Sequence, residues 1–173
     1  MSDNIKNFKA FLDDCFESFE SIVDVEFKQK DKEKWDGNFN VNEKSYGIII
    51  EKLEIDNKIY TIKFYEIEGD KINFNKAEEN NIKISLSVLG TINSVILEFI
   101  NEINPDVVFF YTSDKNKGRK NLYLRFSKKI QEEYNYYYFD HEIKDKTFYF
   151  ICKNNFDILT LKKYFNTIYS IVS

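Results

Sequence analysis

The chain has 173 residues, with 17 Phe and 12 Tyr but only five Gly and one Pro, and a formal charge of −4 at neutral pH. That length buries a core without a metal or disulfide staple, the aromatic content supplies large rigid side chains for it, and the shortage of turn residues argues against long linkers. The negative total disfavours a protein that coats nucleic acid with its whole surface, and the longest uncharged run, Ile84 to Leu97, is too short to span a bilayer.

We therefore expect one α+β domain over residues 1–173. Met1 is followed by no basic-then-apolar leader, so the expected setting is cytoplasmic. Cys15 and Cys152 have no metal-ligand or redox spacing and read as buried thiols.

From Asn4 to Ser21, Ile5, Phe8, Leu12, Cys15, Phe16 and Phe19 recur at helical spacing and predict an amphipathic helix. Asp13, Asp14, Glu17 and Glu20 lie around its other side, either as a solvated face or as an acidic docking surface. Val23 to Phe27 alternates like a half-buried strand, Lys28 to Lys34 breaks it, and Trp35 to Gly37 reads as a turn. Phe39 with Val41, then Tyr46, Ile48 and Ile50, then Ile59 or Tyr60 through Ile67, give three more strands, whose short connections favour an antiparallel meander. Gly69 to Asn81 reads as a loop or weak edge strand.

Ile84, Leu86 and Val88 alternate with Ser85 and Ser87 and predict a strand that Gly90 ends. Thr91 is then placed to cap a helix whose stripe is Ile92, Val95, Ile96, Phe99, Ile100 and Ile103, stopped by Asn104 and Pro105. The apolar run Val107 to Tyr111 predicts a central strand covered on both faces. A helix is expected from about Arg119 to Glu133, with Leu122, Phe126, Ile130 and Tyr134 inward. Tyr136 to His141 and Thr147 to Cys152 form a hairpin turned at Lys144 and Asp145, and Phe156 to Val172 carries a last amphipathic helix. The expected fold is α+β, an antiparallel curved sheet (meander) with a strand–helix–strand–helix–strand unit over Ile84 to Glu142 and flanking N- and C-terminal amphipathic helices.

The only arginines, Arg119 and Arg125, fall in one basic segment with Lys115, Lys117, Lys120, Lys128 and Lys129, opposed there by Asp114 alone. Arginine offers a planar fork for carboxylate or phosphate, a helix N-terminus favours anions, and Tyr123 could stack on a ligand. The alternative is a solvated helix face. No phosphate-binding Gly-x-x-x-x-Gly-Lys-Ser/Thr pattern occurs, and Gly118-Arg119-Lys120 lacks the second small residue of an acyltransferase turn. Asp106 with Glu142 and Lys144 mimics a metal nuclease, yet a crossover between parallel strands would set the two carboxylates at opposite sheet edges. His141 is the only histidine, no nucleophile elbow accompanies it, and we expect no catalytic residues, no metal and no cofactor.

Thr91-Ile92, Val95-Ile96-Leu97, Phe99-Ile100, Asn104-Pro105, Val108 to Tyr111, Ser113-Asp114, Gly118-Arg119, Leu122-Tyr123 and Arg125-Phe126 together resemble small uncharacterised bacterial and phage proteins, over about residues 84–150. Those relatives often carry a further arginine three or four residues after the first, where this chain has Asn121 and Leu122. The resemblance implies the helix–strand–turn–helix unit and a phage, defence or mobile-element setting. The expected function is a non-enzymatic protein-interaction module that regulates or inhibits a partner protein, and the alternative, from a different class, is a nucleic-acid or phosphate binder using residues 113–129.

Overall fold

The first two reversals of the sheet form because each short connection contains a residue suited to a tight turn. The computed structural model describes residues 22–55, 57–68, 71–73, 82–113, 127–128, 130–132, 134–144 and 146–172, in two compact units. Unit 1 comprises Met1–Glu51 and Lys63–Ile103, and unit 2 comprises Lys52–Ile62 and Asn104–Ser173.

In unit 1, β1 (Glu26–Lys30) pairs antiparallel with β2 (Lys34–Val41), and β2 with β3 (Lys44–Lys52). β3 neighbours β4 (Ile59–Glu68), on which the short β5 (Lys71–Asn73) pairs antiparallel. The β1–β2 reversal is made by Asp31, whose Oδ1 accepts the Glu33 and Lys34 N–H groups at 2.8 and 2.9 Å. The β2–β3 reversal uses Asn42 at φ 55°, a left-handed conformation that asparagine tolerates.

The expected turn at Trp35 to Gly37 is corrected: these residues lie inside β2. Trp35 is buried and meets Phe27 and Phe99 edge-on, with centroids 5.4 and 5.3 Å away. Gly37 reads as a turn residue in sequence, yet it is a strand glycine under side chains. A Cβ there would lie 2.7 Å from Val25 Cγ1 and 2.9 Å from Phe27 Cδ1.

The expected strand at Ile84 to Val88 is also corrected. One helix, α1 (Ile82–Ile103), runs through it without a break, so the unit over Ile84 to Glu142 opens with a helix. Alternation over five residues cannot outweigh a helical stripe, and Val88 continues that stripe one turn back from Ile92. Gly90 is tolerated mid-helix because the packing of the apolar face stabilises the helix more than one glycine destabilises it. Thr91 is therefore not a cap: its hydroxyl donates to Ser87 O at 2.9 Å and accepts the Val23 N–H at 3.2 Å, tying the chain ahead of β1 to the helix. Asn104 at φ 50° and Pro105 end α1 as expected of that pair.

In unit 2 the strand order is β4, β6 (Val107–Ser113), β8 (Lys146–Lys153), β7 (Tyr136–Ile143). β6 runs parallel to β4, and the other two pairings are antiparallel. The fold is thus α+β and mostly antiparallel. β6 is buried on both faces, with Val107, Val108 and Phe109 at 0 % exposure and Phe110 at 3 %. Val107 and Phe109 join Phe148, Phe150 and Cys152 under Leu161 and Ile168 of α2 (Ile158–Val172).

α2 starts where Asp157 accepts the Leu159 and Thr160 N–H groups at 3.0 and 3.1 Å. The described residues of the stretch expected as a helix up to Glu133, namely Ser127, Lys128, Ile130, Gln131 and Glu132, are helical. The predicted helix over Asn4 to Ser21 lies outside the described residues.

Two outcomes follow from these contacts. Ala at Gly47 would put its Cβ 2.6 Å from the hydroxyl oxygen of the buried Tyr65. Gly47→Ala should therefore lower the unfolding free energy by about 1–3 kcal/mol in urea titration, and by less in a Tyr65→Leu background. The Leu159 N–H, then the Thr160 hydroxyl and N–H, hold the Asp157 carboxyl below its ordinary value. The cap's contribution is present above the unfolded carboxylate pKa and is lost as pH falls through the lower folded one. Asp157→Asn should keep the helix capped while flattening that acid limb of the thermal midpoint.

Candidate interaction surface

Charge is unevenly divided along the fold. Unit 2 holds 14 Lys and Arg against 10 Asp and Glu, a formal +4, while unit 1 holds 11 against 19, a formal −8, which together give the chain's −4. Composition hides this division because the two totals partly cancel.

Of the residues singled out in sequence, Lys115, Lys117, Arg119, Lys120, Tyr123, Arg125 and Lys129 lie outside the described residues, as do Asp13, Asp14, Glu17 and Glu20. Lys128 is described. It is exposed on a helical stretch whose Ser127 and Ile130 are buried, which is the pattern of a helix covering a core. The basic segment starts at a defined place, because Ser113 at the end of β6 is the Cα partner of Lys146 at the start of β8.

Around that place several side chains gather that sequence inspection did not connect. Lys144 sits in the β7–β8 turn at φ 55°, and its ammonium lies 4.2 Å from the Tyr169 ring centroid. The Lys146 ammonium lies 5.2 Å from the Tyr111 centroid and 5.8 Å from that of Tyr169. Both ammonium groups face aromatic quadrupoles near the last turn of α2, whose carbonyl end favours cations.

His141 belongs to the same end of the sheet. Its imidazole stacks on Phe165 at 4.7 Å and 25°, Phe165 stacks on Phe150 at 5.5 Å and 19°, and Phe150 on Phe139 at 5.0 Å and 21°. Near-parallel rings thus lead from Phe150, at 0 % exposure, to an exposed imidazole. Asp140 and Glu142 alternate onto the opposite face of β7. The signal that could have linked these residues is strand parity: Tyr111, Phe148 and His141 share one register row, as do Ser113, Lys146 and Ile143.

Other polar groups have structural work. Asp106 and Glu142 stand at opposite ends of parallel-running strands, six residues apart in register and so separated by roughly 20 Å or more at ~3.3 Å per residue, too far to share a metal. In unit 1 the Lys30 ammonium bridges Glu98 and Glu102 at 2.6 and 3.2 Å and lies 4.3 Å from the Trp35 ring centroid, fastening β1 to α1. The hydrogen bond to Glu98, more than the one to Glu102, raises its pKa. Glu66 is the one buried carboxylate among the described residues, and it pairs with Lys44 at 3.1 Å.

Cys152 lies fully buried beneath α2, and burial pushes its thiol up to about 12. In a Cys15→Ser variant, Cys152 should remain unreactive towards a disulfide reagent at neutral pH until denaturant is added, a colorimetric measurement in which rapid native labelling would contradict the placement.

Among the described residues, no helix is long and apolar enough to cross a membrane, and no three potential metal-ligating side chains come together. No family model matches the chain, and no curated protein is significantly similar to it.

Proposed function

We propose that this protein is a non-enzymatic binding module that holds the phosphate backbone of nucleic acid through unit 2. The observation that carries this reading is the division of charge, +4 in unit 2 against −8 in unit 1. A polyanion is attracted by unit 2 and repelled by unit 1, so binding is confined to unit 2 even though the whole protein is negative. Residues 113–129, with Lys115, Lys117, Arg119, Lys120, Arg125, Lys128 and Lys129, supply the phosphate contacts, and Lys144 and Lys146 extend them from the hairpin beside Ser113. Each neutralised phosphate releases counterions, so affinity falls steeply as salt rises.

Fluorescence anisotropy with labelled oligonucleotides tests this directly. Binding at low salt is expected to weaken about tenfold or more between 50 and 200 mM salt. Arg119→Glu/Arg125→Glu should reduce it further at every salt concentration. Absence of binding at low salt would end the reading.

A second reading is favoured by the other half of the same observation. Unit 1, at −8, suits docking to a basic surface of a protein that this chain regulates or inhibits, with Asp13, Asp14, Glu17 and Glu20 as the acidic face. A phage, defence or mobile-element setting belongs to this reading. Affinity capture from the native cell at two salt concentrations distinguishes it: a protein partner lost on Asp13→Lys/Glu17→Lys substitution, with oligonucleotide binding unaltered, would favour it over the first.

A further inference from the structure

We infer that the end of the unit 2 sheet formed by His141, Lys144, Lys146, Tyr111 and Tyr169 is a base-stacking subsite for single-stranded nucleic acid. The inference rests on the nucleic-acid reading above and adds to it a location and a strand preference.

Three observations carry it. The exposed imidazole of His141 is held flat by Phe165 on one side, and the near-parallel rings of Phe150 and Phe139 back that ring in turn. A flat ring fixed from beneath in an exposed residue loses little freedom when an unpaired base stacks on it. Next, two ammonium groups stand over aromatic rings at 4.2 and 5.2 Å, on the same side of the sheet as His141. By strand parity Lys146 and His141 share one face of the sheet, and Asp140 and Glu142 belong to the other face of β7. Finally, the register that sets Ser113 against Lys146 makes this cluster continuous with the start of the basic segment.

Stacking requires a base outside a duplex, so the subsite selects single strands, whereas lysines alone would hold either form. A purely structural role, in which Lys144 and Lys146 only stabilise the carbonyl end of α2, makes a different prediction: substitution would then alter the thermal midpoint and leave strand preference untouched.

The chain's single histidine gives a direct probe, because its imidazole C–H resonances need no assignment among several histidines. Titrating the full chain with a short oligodeoxyadenylate should shift those resonances upfield by the ring current of a stacked adenine. A hairpin duplex of equal charge should shift them far less. In anisotropy, His141→Ala should weaken single-strand binding roughly tenfold, the worth of one stacked base, and leave duplex binding unchanged. Lys144→Glu/Lys146→Glu should weaken both and reduce the salt slope by about 1 or more. Lys162→Glu/Lys163→Glu, with the same charge change on exposed positions of α2, should have the smaller effect.

Unmoved imidazole resonances in a sample that binds oligonucleotide would overturn the subsite while leaving the nucleic-acid reading intact, as would equal loss of single-strand and duplex binding in His141→Ala. If the unaltered chain binds neither form at low salt, both the reading and the subsite fail. Thermal melts of each variant separate loss of binding from loss of fold.

Discussion

Where β6 begins, one residue joins three strands. The Asp106 carboxylate accepts the Lys58 N–H at 3.0 Å, its own N–H donates to Lys58 O at 2.9 Å, and its carbonyl accepts the Lys153 N–H at 3.0 Å. The Lys153 ammonium lies 3.8 Å from the same carboxylate and donates to Asn104 O at 2.9 Å. This matters because β6 is apolar on both faces. A strand with one buried face resists a one-residue slip, since the slip would turn its apolar side chains to water; Val107 to Phe110 offers little such penalty. Polar bonds at Asp106 therefore fix a register that hydrophobic patterning leaves loose.

That register reaches the other end of the sheet. Fixing Val107 opposite Cys152 fixes Ser113 opposite Lys146, and the β7–β8 pairing then fixes His141 opposite Phe148. The aromatic face beneath α2 and the lysines at its margin are thus consequences of one alignment. The residue that first invites a metal-nuclease reading is better explained as the alignment itself, with its oxygens occupied by backbone and lysine partners.

Much of this architecture was legible in sequence where a single period ran long enough. The apolar run at Val107 to Tyr111, the hairpin turned near Lys144, and the stop at Asn104 and Pro105 were all readable, because strand covering, turn chemistry and helix termination act locally. Ile84 to Val88 misled because isoleucine, leucine and valine alternating with serine satisfy a strand pattern over five residues, while the deciding contacts, such as Val23 with Thr91, are 68 residues apart. Trp35 and Gly37 misled for a related reason: the glycine serves a close approach by Val25 and Phe27, not a reversal, and only the packed structure reveals what lies above it. In the candidate surface, the clustering of basic residues was visible along the chain. The joining of Lys144, Lys146, Tyr169 and Phe165 was not, because it depends on strand register and on the helix that covers it.

The central claim is that binding belongs to unit 2 and follows its charge. Hydrogen–deuterium exchange of the full chain, with and without a short single-stranded oligonucleotide at low salt, tests it most directly. The account predicts added protection in residues 113–129 and in the β7–β8 hairpin, with exchange in β1 to β3 unchanged. Protection concentrated in β1 to β3, or none anywhere under conditions in which the oligonucleotide is bound, would contradict it.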